Sequence, residues 1–141
     1  MSEDFKTMIN RDQLYAGNPD TNLSLLNLLA YSVFPSIRSR VAENPSIPIS
    51  LLAAFLWDRE PEVRSSVANN PNVTMAMLNW LSNDESVDVR FALAEDPALP
   101  MALLRKLSFD CNAFVAERAR MTMARLKKEL SLTTAQVQIA A

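Results

Sequence analysis

No histidine occurs in this chain, which removes the commonest general base, the usual zinc ligand and the Ser-His and Cys-His nucleophile pairs. Cys111 stands alone, so there is no intrachain disulfide, no Cys-x-x-Cys redox pair, no zinc ribbon and no thiolate set for an iron–sulfur cluster. A reducing compartment follows from that usage. One glycine in 141 residues, against a usual share of about 7 %, disfavours hairpin-rich β architectures and every glycine-dependent phosphate loop. No apolar run approaches the ~20 residues of a membrane span, and the start Met1-Ser2-Glu3-Asp4-Phe5-Lys6 is polar and acidic rather than basic then apolar. We expect a soluble, cytoplasmic protein with no membrane span, no cofactor, no metal and no enzymatic activity.

What is present is ordinary for a folded domain: 49 % hydrophobic and 21 % charged residues argue against a disordered chain. The formal net charge of -2 gives no overall attraction to nucleic acid. Its distribution is uneven, however. Residues 61–104 hold Arg64 and Arg90 against Glu62, Asp84, Glu85, Asp88, Glu95 and Asp96, whereas residues 105–141 hold seven Lys or Arg against three acids.

The dominant pattern is a period of 26 residues: Asn18-Pro19, Asn44-Pro45, Asn70-Pro71 and Asp96-Pro97 recur without a slip. Within each period two apolar stripes appear. Leu23, Leu26 and Leu29, then Ile49, Leu52 and Phe55, then Met75, Leu78 and Leu81, then Met101, Leu104 and Leu107 share the i, i+3, i+6 spacing of one helix face. Ile37, Val41 and Ala42, then Val63, Val67 and Ala68, then Val89, Leu93 and Ala94 mark a second, shorter helix, with alanine where a neighbour comes close. The Asn or Asp before each proline is biased away from the helical region and tolerates an unusual helix-ending conformation. Pro48 and Pro100 are expected at the first position of the first helix, and Pro35 and Pro61 at that of the second. Helices of ~8 to 10 residues are marginal alone, so stability must come from packing between them. Tyr15 and Ala16 fall one period before Val41 and Ala42, which marks an incomplete leading unit.

Val63-Arg64-Ser65-Ser66-Val67-Ala68-Asn69-Asn70-Pro71 and Val89-Arg90-Phe91-Ala92-Leu93-Ala94-Glu95-Asp96-Pro97, each followed by a Leu-rich segment ending in Asp, resemble the leucine-rich repeat variant family, a relative of HEAT and armadillo α-solenoids. The resemblance covers roughly residues 15–115. It implies an all-α right-handed superhelix of about four two-helix repeats, one helix of each pair being 3₁₀ in some members. Some members carry a cysteine-bound iron–sulfur cluster, for which this chain lacks the cysteines. We therefore expect one repeat domain over residues 1–130, with an N-terminal cap at 6–17, repeats at 18–111 and a capping helix at 112–130. A flexible tail at 131–141 should follow.

Arg38, Arg64 and Arg90 recur at the period, as do Asp58, Asp84 and Asp110. Each Arg has an Asp 20 residues later, which favours a structural ladder of bidentate ion pairs over an exposed arginine row reading phosphates or an acidic peptide. The capping helix carries Arg118, Arg120, Arg125, Lys127 and Lys128, either as a solvated face or as a docking face for an acidic partner. Tyr31, Trp57 and Phe109 share one register position that Asn83 breaks. Trp80 holds another, shared with Leu28, Ala54 and Lys106; a position that accepts lysine is at least partly exposed, and an exposed Trp suits an interface. Acidic pairs such as Asp58 with Glu60 sit at helix starts, where carboxylates cap rather than catalyse. The expected function is protein or peptide recognition on a repeat surface, centred on Trp80 and on Arg118, Arg120 and Lys127. The alternative is a HEAT-like grip on nucleic-acid backbone, which the acidic middle region disfavours. We expect a monomer, or a weak homodimer through an end surface.

Overall fold

The computed structural model describes the backbone of residues 3–140 and the side chains of residues 3–134 and 136. Every regular element among them is helical, so the fold is all-α. Two compact units divide it, one ending at Leu81 and the other beginning at Ser82.

The first unit contains α1 (Glu3–Gly17), α2 (Leu23–Ala30), α3 (Pro35–Glu43), α4 (Ile49–Ala54) with a 3₁₀ turn at Phe55–Trp57, α5 (Pro61–Ala68) and α6 (Met75–Leu81). The second contains α7 (Val87–Glu95), α8 (Met101–Leu107) and α9 (Ala113–Ala140). The period seen in the sequence governs where helices begin. α2, α4, α6 and α8 start at residues 23, 49, 75 and 101, while α3, α5, α7 and α9 start at 35, 61, 87 and 113.

Packing follows the stripes. α3 lies against both α1 and α5 through Ala16, Ile37, Val41, Ala42, Val63 and Val67, all buried. Leu26 and Leu29 of α2, then Leu52 and Phe55, then Leu78 and Leu81 close the other side of the first unit. In the second unit α9 packs on α7 and α8, burying Val115, Ala116 and Ala119 against a core that includes Val89, Leu93, Leu104 and Leu107. No helix from α2 to α8 exceeds nine residues, so each relies on its neighbours.

Several expectations need correction. The leading member of each first stripe, Leu23, Ile49, Met75 and Met101, is exposed, because a helix's first residue projects beyond its packing partner. Tyr15 is likewise exposed where its register counterpart Val41 is buried. The second helix of each pair is not the shorter one: α3 has nine residues against eight in α2, and α7 nine against seven in α6. Pro35 and Pro61 open their helices as expected, but Pro48 and Pro100 stand one residue earlier, at the N-cap. No described residue has a positive φ, so no helix ends through the left-handed conformation. Asn44 and Asp96 instead leave their helices in extended backbone, as a following proline favours. The last helix, expected to stop at Leu130, continues to Ala140, since neither glycine nor proline interrupts it. Beyond Thr122 no described residue of α9 is buried.

The Asn of each Asn-Pro pair works as a rung between periods. Asn44 Nδ2 donates to the carbonyls of Ala16 and Asn18 at 2.8 and 2.9 Å, and Asn70 Nδ2 to those of Ala42 and Asn44 at 2.7 and 2.9 Å. Their Oδ1 atoms accept from the N–H groups of Ser46 and Asn72, which shapes the turn into the next helix. Thr122 sits one period after Asp96, and its hydroxyl donates to the Ala94 carbonyl at 2.7 Å, the same reach backward with a shorter side chain. The period therefore extends further along α9 than its apolar residues indicate.

Removing the Asn70 amide leaves two buried carbonyls and one turn N–H without their partner, each a loss of about 1–3 kcal/mol. Asn70→Ala should therefore destabilise the protein by roughly 3 kcal/mol, and Thr122→Val by about 1 kcal/mol. Urea midpoints by circular dichroism check this, and equal midpoints for wild type and Asn70→Ala would show that the rung contributes nothing.

Candidate partner-binding surface

Arg38 is the residue from which the surface of the first unit is built. Buried in α3, it aims Nε and Nη2 at Asp58 Oδ2 and Oδ1, at 2.7 and 2.9 Å, a bidentate pair. Its remaining nitrogen, Nη1, donates to the Ser32 carbonyl at 2.8 Å. Ser32 follows Tyr31 and Asp58 follows Trp57, so one guanidinium fixes the chain beside both aromatic residues. Asp58 Oδ1 also accepts from the Glu60 N–H, starting the turn into α5, and Arg64 Nη1 holds the Asp58 carbonyl at 2.8 Å from the opposite side.

The same device recurs in the second unit. Arg90 pairs with Asp110 at 2.7 and 3.2 Å and donates to the Asp84 carbonyl at 2.6 Å, while Asp110 accepts from the Asn112 N–H. The longer spacing anticipated for the ladder thus describes Arg38 with Asp58 and Arg90 with Asp110. Arg64 belongs to the first unit and Asp84 to the second; both are buried, and Asp84 Oδ1 accepts from the Ser86 N–H.

These pairs have perturbed acidities. Burial pushes the Asp58 carboxyl up, but hydrogen bonds from Arg38 and the Glu60 N–H, with the charges of Arg38 and Arg59, outweigh it and hold the group below the usual carboxylate range. For Asp110 the hydrogen bond from Arg90 is the largest influence, and the result is again a lowered value. Arg38 and Arg90 are correspondingly raised by their carboxylate partners.

Above the Arg38–Asp58 pair lies an open trough of about 460 Å³, walled by Tyr31, Val33, Leu51, Ala54, Trp57 and Arg59. Tyr31 is 84 % exposed, Val33 72 % and Trp57 73 %. Trp80, 46 % exposed, leans on Trp57 with ring centroids 4.6 Å apart and planes tilted by 56°. Such a pair is usually buried for its area, yet here both rings face solvent. Among the described residues neither indole N–H is hydrogen-bonded. Arg59 is the trough's exposed charge, and Glu60 lies 3.6 Å from it.

Of the residues singled out from the sequence, Trp80 is partly exposed, as a register position that accepts lysine implied. Arg118, Arg120 and Lys127 are placed differently. Arg118 pairs with Glu95 at 2.9 Å and lies over the Phe91 ring, 5.4 Å from its centroid. Arg120 pairs with Glu117 at 3.2 Å and donates to the Ser108 carbonyl. Lys127 is exposed on α9. Two of the three cations are thus engaged within the chain, and a second cavity, lined by Glu95, Arg118, Met121, Thr122 and Arg125, has an acid among its bases. The sequence reading missed Trp57 and Tyr31 as surface residues. The signal was available: their register position accepts Asn83, just as that of Trp80 accepts Lys106, and Phe109 at the same position is also exposed.

Among the described residues no group of three or more His, Cys, Asp or Glu could hold a metal ion, and no helix is long and apolar enough to cross a membrane. Compared with protein-family models, curated proteins and solved structures, the chain gives no match.

Because the folded carboxyl of Asp58 titrates below its unfolded value of about 3.9, its contribution to stability is complete above that value and is lost as pH falls through the folded one. Asp58→Asn, which leaves Arg38 buried without its counter-charge, should cost about 3 kcal/mol at pH 7. The gap between wild type and variant should narrow below about pH 4, read from urea midpoints between pH 3 and 7. A gap that stays constant across that range would mean that the carboxylate charge is not what matters.

Proposed function

We propose that this chain is a non-enzymatic recognition module that binds a protein or peptide partner, built as an α-solenoid repeat protein of the leucine-rich repeat variant type and working in the cytoplasm. The observation that carries the reading is the Trp57–Trp80 pair. Two large rings in tilted contact, one mostly and the other about half exposed, represent apolar area that the fold leaves uncovered next to a shaped trough. Tryptophan and tyrosine are the residues around which binding energy concentrates, because each supplies a large rigid surface at little entropic cost. The repeat-like recurrence of helix starts supports the solenoid, since stacked short helices present long, rigid faces of this kind. Arg38 and Arg90, whose donors are directed inward, offer little to a phosphate backbone.

Capture of partners from a lysate on the immobilised protein, with nuclease present, tests this reading. A stoichiometric protein should be retained by wild type and weakened tenfold or more by Trp80→Ala, the cost of losing one anchor. Because Trp80 is about half exposed but packs on Trp57, that variant should keep its fold with a modestly lowered melting temperature. Retention that disappears with nuclease or moderate salt would overturn the reading in favour of nucleic acid.

A further inference from the structure

The trough has a chemistry that narrows its occupant. Its charges are balanced: Arg38 and Asp58 on its floor neutralise each other, and the exposed Arg59 at the rim has Glu60 3.6 Å away. A charged peptide would gain little here. What the surface offers is flat aromatic area from Tyr31, Trp57 and Trp80, an aliphatic patch from Val33, Leu51 and Ala54, and two indole N–H donors that find no acceptor among the described residues. An indole nitrogen donates and cannot accept, so the occupant must bring acceptors. An amphipathic helix could bring them only on its side chains, because its backbone carbonyls are bonded internally. A β-strand would need an open sheet edge, and the described residues form no sheet.

A polyproline II segment meets each requirement. Its carbonyls carry no internal hydrogen bonds and project outward, its proline rings stack on aromatic faces, and its φ is already set, so little chain entropy is lost on docking. We propose that the Tyr31, Trp57 and Trp80 surface binds an uncharged, proline-rich segment of a partner in the polyproline II conformation, with the indole N–H groups donating to its backbone carbonyls. This rests on the reading of the chain as a peptide-recognition module and specifies its ligand. Arg38 acts here as a positioning residue, since it holds the backbone next to Tyr31 and Trp57 without facing the ligand.

The chain has two tryptophans, and both lie in this surface, so intrinsic tryptophan fluorescence reports on the site alone. Titration of the full chain with a decaproline peptide should give a saturable change in emission. An alanine-rich helical peptide of equal length should give none. Tyr31→Ala leaves both reporters in place and should weaken decaproline binding at least fivefold. Trp80→Ala should weaken it at least tenfold, followed through Trp57, with circular dichroism confirming the fold of each variant. Binding of decaproline that ignores both substitutions would overturn the site. Silence of decaproline to millimolar concentration, while a captured partner still depends on Trp80, would overturn the ligand class and leave the recognition reading standing. Indifference of every captured partner to Trp57 and Trp80 would remove the recognition surface itself.

Discussion

A buried guanidinium that serves three acceptors is the constraint on which the rest depends. Arg38 and Arg90 each clamp a carboxylate 20 residues ahead and a carbonyl six residues behind, so each ties two successive turns to the helix that carries it. Lysine could not do this: a point charge lacks the planar fork that satisfies a carboxylate and a carbonyl at once. The carboxylate in turn caps the following helix through one backbone N–H. Turns that would otherwise be held only by six- to nine-residue helices thereby acquire fixed positions.

The Asn rungs perform the complementary task on the other side of each helix pair. A side-chain amide has two N–H donors and an acceptor, and Asn44 and Asn70 use both kinds, bridging carbonyls one period back while forming their own turns. Aspartate at position 96 retains only the acceptor function, directed to the Ala98 N–H. Threonine at 122 retains only the donor. Backbone polar groups between short helices would otherwise be buried unpaired, so these side chains let apolar packing proceed without that cost.

The proposed binding surface shares this rigidity. The groups that fix the turns, Ser32 and Asp58, are sequence neighbours of Tyr31 and Trp57, so the aromatic rims are held by the same bonds that hold the fold. Rings placed on an ordered backbone would lose little freedom on binding a partner, and a trough whose charges are balanced suits the proposed apolar contact better than ionic steering.

Helix content, the places where helices begin and the bidentate Arg–Asp spacing were legible in the sequence, because each follows from local chemistry repeated at a constant interval. Proline fixes helix starts, i, i+3, i+6 apolar spacing defines a face, and an Arg and Asp that recur together imply one contact geometry. Sequence alone also marked Trp80 as exposed, through the lysine that shares its register. It did not reveal that Leu23, Ile49, Met75 and Met101 lie outside the core, since periodicity assigns a face but not how far along that face the neighbouring helix reaches. Nor did it reveal that Trp57 meets Trp80, or that Arg118 and Arg120 turn toward Glu95, Glu117 and the Ser108 carbonyl. Those depend on distances between side chains 3 to 23 residues apart, which only the packing of the helices decides.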